Sequence, residues 1–110
     1  MKEITYQFEP VPKLSVNGHV FELQMSDGDI FDRAMKISEK YIKLNKDSSV
    51  KQIMKAVREC ADIIDEILGP GAMAAIAQGR PVGVKDSLKL MNRIVTEAAG
   101  SYTERLKDYE

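Results

Sequence analysis

Few residues in this chain could do chemistry, and none of them stands in a reactive arrangement. His19 is the only histidine and Cys60 the only cysteine. A zinc site needs three or four His, Cys or carboxylate ligands brought together, and neither residue has such company nearby in sequence. His19 reads more plainly as a residue at the margin of a core. Cys60 falls within an apolar helical stripe, where a thiol behaves as a small hydrophobe. A nucleophilic cysteine needs a base or a cation to lower its pKa, and nothing adjacent supplies one. The stretch Gly79-Arg80-Pro81-Val82-Gly83-Val84-Lys85-Asp86-Ser87 superficially resembles a phosphate loop. The Walker pattern, however, needs contiguous Gly-Lys-Ser/Thr after a strand. Here Val84 and Asp86 interrupt it, and the preceding segment reads as helix. Asp62, Asp65 and Glu66 sit near the end of a helix, where carboxylates oppose the macrodipole. Arg80 and Lys85 are the basic residues expected to offset them, and a solvated charged face is the plainer reading. No catalytic, metal-binding or cofactor-binding residue is assigned.

Composition narrows the function classes further. The 110 residues amount to one domain (1–110). The formal net charge of -1 argues against general affinity for nucleic acid or anionic lipid. A recognition helix for DNA would need polar and basic side chains, and Ala72-Met73-Ala74-Ala75-Ile76-Ala77 offers none. No apolar run approaches the roughly 20 residues of a membrane span, and residues 1–12 lack the layout of a signal peptide. A lone cysteine forms no internal disulfide, which fits a reducing cytoplasm.

The elements follow from periodicity. Ile4, Tyr6 and Phe8 alternate with Glu3, Thr5 and Gln7, a short strand signal that Pro10 and Pro12 restrict to an edge. Asn17-Gly18 lies between two β-type runs and predicts a type I′ hairpin turn. Val16 then pairs with His19 and Leu14 with Phe21, so that Leu14, Val16, His19, Phe21 and Leu23 share one apolar face. Two strands alone are barely stable, so helices must cover that face. The expected fold is mainly α: a hairpin region (1–25), then a helical region (26–110) forming a small bundle of three long helices and one short one.

Ser26 or Asp27 caps a first helix carrying Ile30, Ala34, Ile37, Tyr41 and Leu44, with a second stripe of Phe31, Met35 and Ile42. Ser49 and Gln52 form a capping box for a second helix, with apolar Val50, Ile53, Met54, Val57, Cys60, Ala61, Ile64, Ile67 and Leu68. Gly69-Pro70 ends it. A short alanine-rich helix (72–78) precedes a last helix from about Lys85 to about Leu106, where Gly100 marks a weak point. This is more apolar stripe than one small core consumes, so the second stripe of the first helix, Phe31, Met35 and Ile42, is the candidate protein-binding surface.

The layout resembles a family. The hairpin Val16-Asn17-Gly18-His19-Val20-Phe21-Glu22-Leu23 leads into Asp29-Ile30-Phe31-Asp32. The second helix ends in Asp65, Leu68, Gly69 and Gly71, followed by the alanine-rich turn, Gly79-Arg80-Pro81 and a closing helix. From about Leu14 to about Tyr102 the chain is similar to the small tail assembly chaperones of long-tailed phages and prophages of Gram-positive bacteria. That resemblance implies a non-enzymatic, mainly helical, self-associating protein of the host cytoplasm. Such a protein binds the tape-measure protein and helps recruit tail-tube subunits. Other readings are a head–tail connector or minor tail component, or a host regulatory adaptor. With His19 and Cys60 read as structural, the melting temperature is expected not to change on adding a strong chelator. A drop in Tm would overturn that reading.

Overall fold

The computed structural model describes residues 1–107 apart from Glu9, 25–27 and Lys46, with side chains as far as Ser101. The expected Ser26 or Asp27 cap lies outside the described residues, as do the side chains of Tyr102 and Leu106. The elements run β1 (Lys13–Val16), β2 (His19–Glu22), α1 (Asp29–Tyr41), α2 (Val50–Leu68), α3 (Ala72–Ala77) and α4 (Val84–Lys107). This is the mainly helical chain with an N-terminal antiparallel hairpin that the periodicity predicts.

The hairpin has the expected register, Val16 opposite His19 and Leu14 opposite Phe21. Asn17 (φ +51°) and Gly18 (φ +84°) both hold the left-handed conformation that a type I′ turn requires. One further bond, from Leu23 N–H to Pro12 O at 2.8 Å, continues the ladder. Pro12 has no N–H to return that bond. In residues 1–8 no strand forms among the described residues, although the sequence alternates. Ile4 (91% exposed) and Phe8 (83% exposed) project from an extended arm. Alternation prepares a strand, but a strand exists only against a partner.

α2 is the centre of the packing. Ser49 is extended (ψ 150°), and its Oγ accepts from Gln52 N–H while Gln52 Oε1 accepts from Ser49 N–H, the full capping box. The inward face of α2 carries Ala56, Cys60, Ile63, Ile64, Ile67 and Leu68, all buried. Against it pack Ile30 and Ala34 of α1, Met91, Ile94 and Ala98 of α4, Met73 and Ile76 of α3, and Leu23 at the foot of the hairpin. Leu14, Val16 and Phe21 pack on the edge of this cluster, so helices cover part of the apolar hairpin face. Gln24 N–H donates to Ile67 O at 2.7 Å, stitching the strand end to one of the last carbonyls of α2. Val50 and Met54, expected on the core stripe, are exposed instead. At 3.6 residues per turn both lie towards the flank of α2, well round from Cys60 and Ile67, and face away from the elements that cover it.

The end of α2 explains the Asp65–Gly71 segment. Gly69 (φ +111°) and Gly71 (φ +82°) take conformations that L side chains resist, turning the chain within three residues. That reversal brings the start of α3 back beneath α2, where Asp65 Oδ1 accepts from Met73 N–H at 2.8 Å. Glu66 pairs with Arg33 of α1, which also meets Asp29 at 3.2 Å. The partners of these carboxylates are thus a helix N-terminus and Arg33, rather than Arg80 and Lys85. α4 begins at Val84, and it runs through Gly100 without a break.

Asp65→Ala should lower stability by about 1 kcal/mol through loss of a capping acceptor. Chemical denaturation would read it. A neutral or stabilising result would mean that relief of the unfavourable dipole at the end of α2 outweighs the cap.

Candidate functional site

α1 has to satisfy two neighbours with one narrow face. Ile30, Ala34 and Tyr41 are buried, which fixes its rotation about its own axis. The next stripe, at positions 31, 35, 38 and 42, then runs along the seam between α1 and α4. α4 presents its own stripe there, Leu88, Asn92, Val95 and Ala99, at the i, i+3, i+4 spacing of one helical face. The side chains at this seam do not close over it.

Two depressions result. The first, of about 450 Å³, is lined by Phe31, Ala34, Met35 and Ser38 of α1 and by Asn92, Val95, Thr96 and Ala99 of α4. The second, of about 500 Å³, lies towards the end of α1, where Tyr41, Ile42 and Leu44 face Val84, Lys85, Leu88 and Lys89. Ser38 and Asn92 line both depressions. Asn92 Nδ2 donates to Ser38 Oγ at 3.1 Å, so one polar bridge crosses an otherwise oily trough. The Thr96 hydroxyl is turned back to its own helix, donating to Asn92 O at 2.8 Å.

The three residues assigned from sequence all fall at this seam, but they are not equivalent. Met35 is 63% exposed and Ile42 is 73% exposed. Phe31 is half-buried and packs against the core as well as lining the trough. Ile42 lies just past the end of α1, where its N–H still donates to Ser38 O. Sequence reasoning missed Ser38 and Asn92, polar residues that gave no apolar signal, and did not bring Val95 and Ala99 opposite Phe31 and Met35. Only the crossing of α1 over α4 does that.

His19 and Cys60, the other residues singled out in the sequence, lie apart from this trough. Gln78 Nε2 lies 3.1 Å from His19 Nε2, tying the end of α3 to the hairpin. Cys60 is fully buried, and burial, with the Glu59 carboxylate adding to it, pushes its thiol up to about 11. At neutral pH it therefore holds its proton and is inert as a nucleophile. Burial also raises the Tyr41 phenol above its ordinary value, and Glu59 contributes in the same direction. The Tyr41 hydroxyl makes no hydrogen bond of normal geometry, and its ring carries Lys40 Nζ 5.0 Å from the centroid. Between α1 and α2 lies a shallower pocket of mixed charge, lined by Arg33, Lys36, Lys40, Glu59 and Asp62. Among the described residues no three His, Cys, Asp or Glu side chains gather to hold a metal ion. No described helix is long and apolar enough to cross a membrane.

No curated protein and no solved structure matches the chain. One family does, over residues 17–110, from the hairpin turn to the end of α4 and beyond. The chain belongs to the DUF6673 family, a family of unknown function.

Proposed function

We propose that this chain is a non-enzymatic assembly chaperone whose α1–α4 trough holds an amphipathic helical segment of a client protein. The client is the tape-measure protein of a phage or prophage tail, kept soluble in the host cytoplasm while tail-tube subunits are recruited around it. The observation that carries the reading is the trough itself, with Met35 and Ile42 exposed along it. Phe31 to Ile42 spans eleven residues of rise, roughly 16 Å at 1.5 Å per residue, or three helical turns. A three-turn amphipathic helix presents i, i+4 and i+7 anchors over that length. Methionine at the centre suits a surface that accepts varied apolar partners. The likeness of the hairpin and the Asp65–Gly71 segment to tail assembly chaperones supplies the identity of the client.

Co-expression tests this directly. The soluble yield of a phage tape-measure protein should rise when it is made together with this chain. Met35→Glu with Ile42→Glu should abolish that rescue and leave the helical circular-dichroism signal and the melt unchanged, because both side chains face solvent. Phe31→Glu should instead lower stability, since that ring also packs on the core. An unchanged client yield, or rescue that survives the double substitution, would contradict the proposal.

A further inference from the structure

The hairpin is a two-stranded sheet with an unused edge, and the chain carries an unused strand. We infer that the N-terminal arm, residues 3–8, adds as a third strand to β1 of a second copy of this chain, with Ile4, Tyr6 and Phe8 seated in the groove between β1 and α4.

The acceptor is the outer edge of β1. In the observed register, Val16 and His19 flank a two-residue turn and form a hydrogen-bonded pair. Lys13 and Ser15 are then the β1 residues whose N–H and C=O point away from β2. Among the described residues these groups have no backbone partner. β2 packs near α3, whereas β1 borders an open groove of about 430 Å³. Leu14, Val16, Leu90 and Ile94 form its apolar floor, with Arg93 and Glu97 among its other lining residues.

The donor is equally specific. Ile4, Tyr6 and Phe8 recur at the period of two that puts them on one face of a strand. The Tyr6 and Phe8 rings already meet edge to face, 5.2 Å between centroids. Neither ring reaches the core, Tyr6 being 67% exposed. As a third strand the arm would turn these side chains to the inner face that Leu14 and Val16 share, and Glu3, Thr5 and Gln7 to the outer face with Ser15.

The occupant is a second copy because of how the arm is hinged. Folding back onto its own β1 would need a reversal within residues 9–12. Pro10 and Pro12 fix their own φ, and each disfavours helical turn conformations in the residue before it. The arm's side chains stay off the body of the molecule, Ile4 being 91% exposed and Phe8 83% exposed. The longest dimension of the molecule is 67 Å against 28 and 23 Å across, while α4, the longest helix, accounts for roughly 36 Å. Exchange between copies is reciprocal, so two arms fill two grooves about a two-fold axis. Aromatic side chains bury roughly 150–250 Å² each, so four rings contribute on the order of 700 Å² before the groove walls are counted. A stable interface buries roughly 1,200–2,000 Å² in total, which the rings, two isoleucines and the groove surfaces together can reach. Leu90, Arg93 and Glu97 lie on the flank of α4 opposite Asn92, Val95 and Ala99, so this contact leaves the trough open and does not rest on the proposed client.

Sedimentation equilibrium of the full chain tests the inference. The unmodified chain should have the mass of a dimer. Ile4→Asp with Phe8→Asp should be a monomer that keeps its helical circular-dichroism signal, since neither residue touches the core; its melt should lose the concentration dependence of the dimer. Ser15→Pro, which removes an outward donor, and Arg93→Trp, which fills the groove from an exposed helix position, should each be monomers too. A monomeric unmodified chain would overturn the inference. So would a dimer that survives the arm substitutions, or one lost with the arm but kept by both groove variants. None of these results bears on rescue of a client through Met35 and Ile42.

Discussion

Everything in this molecule leans on the buried face of α2 between Cys60 and Leu68. Ile63, Ile64, Ile67 and Leu68 are buried together there. At about 1.5–3 kcal/mol for each fully buried side chain, the four supply on the order of 10 kcal/mol, comparable with the whole net stability of a typical domain. α1, α3 and α4 each pack on α2, while the hairpin reaches the core through Leu23 and through β2 against α3. The hairpin, too small to stand alone, is held by Leu23 in the cluster and by the Gln24 N–H bond to Ile67 O.

The same constraint explains the surface. α4 divides its circumference among three neighbours: Met91, Ile94 and Ala98 go to the core, Leu88, Asn92, Val95 and Ala99 to the seam with α1, and Leu90 and Arg93 to the groove beside β1. α1 has thirteen residues and commits Ile30, Ala34 and Tyr41 to the core. Too little side-chain volume remains to close the seam, and Met35 and Ile42 stay in solvent. Apolar exposure here follows from the geometry of a complete core rather than from a missing element.

Local signals were legible in the sequence and long-range ones were not. Asn17-Gly18, the Ser49–Gln52 box and the Gly69-Pro70 stop act within a few residues, and each appears in the structure where the residues put it. Phe31, Met35 and Ile42 were legible as a second stripe, because periodicity reports the face a residue occupies. Periodicity marks a broad stripe and does not report where its buried edge falls, which is why Val50 and Met54 belong to the stripe and are exposed. Nor does it say whether a strand-like segment finds a partner, which is why residues 3–8 read as a strand and stand as an arm. The Arg33–Glu66 pair spans 33 residues of sequence, and Asp65 meets Met73 only after two left-handed glycines reverse the chain.

The central claim is that α2 belongs to a core already complete in one copy, and Cys60, the only cysteine, reports on it directly. Its thiol is fully buried and protonated at neutral pH, so a thiol reagent can reach it only when α2 leaves the core. The rate of Cys60 labelling should therefore fall to the level set by global unfolding. It should also show the same denaturant dependence as the whole-molecule transition. Labelling that is fast in the native state, or governed by an opening with little denaturant dependence, would mean that α2 is not the fixed centre of the fold, and the account built on it would fail.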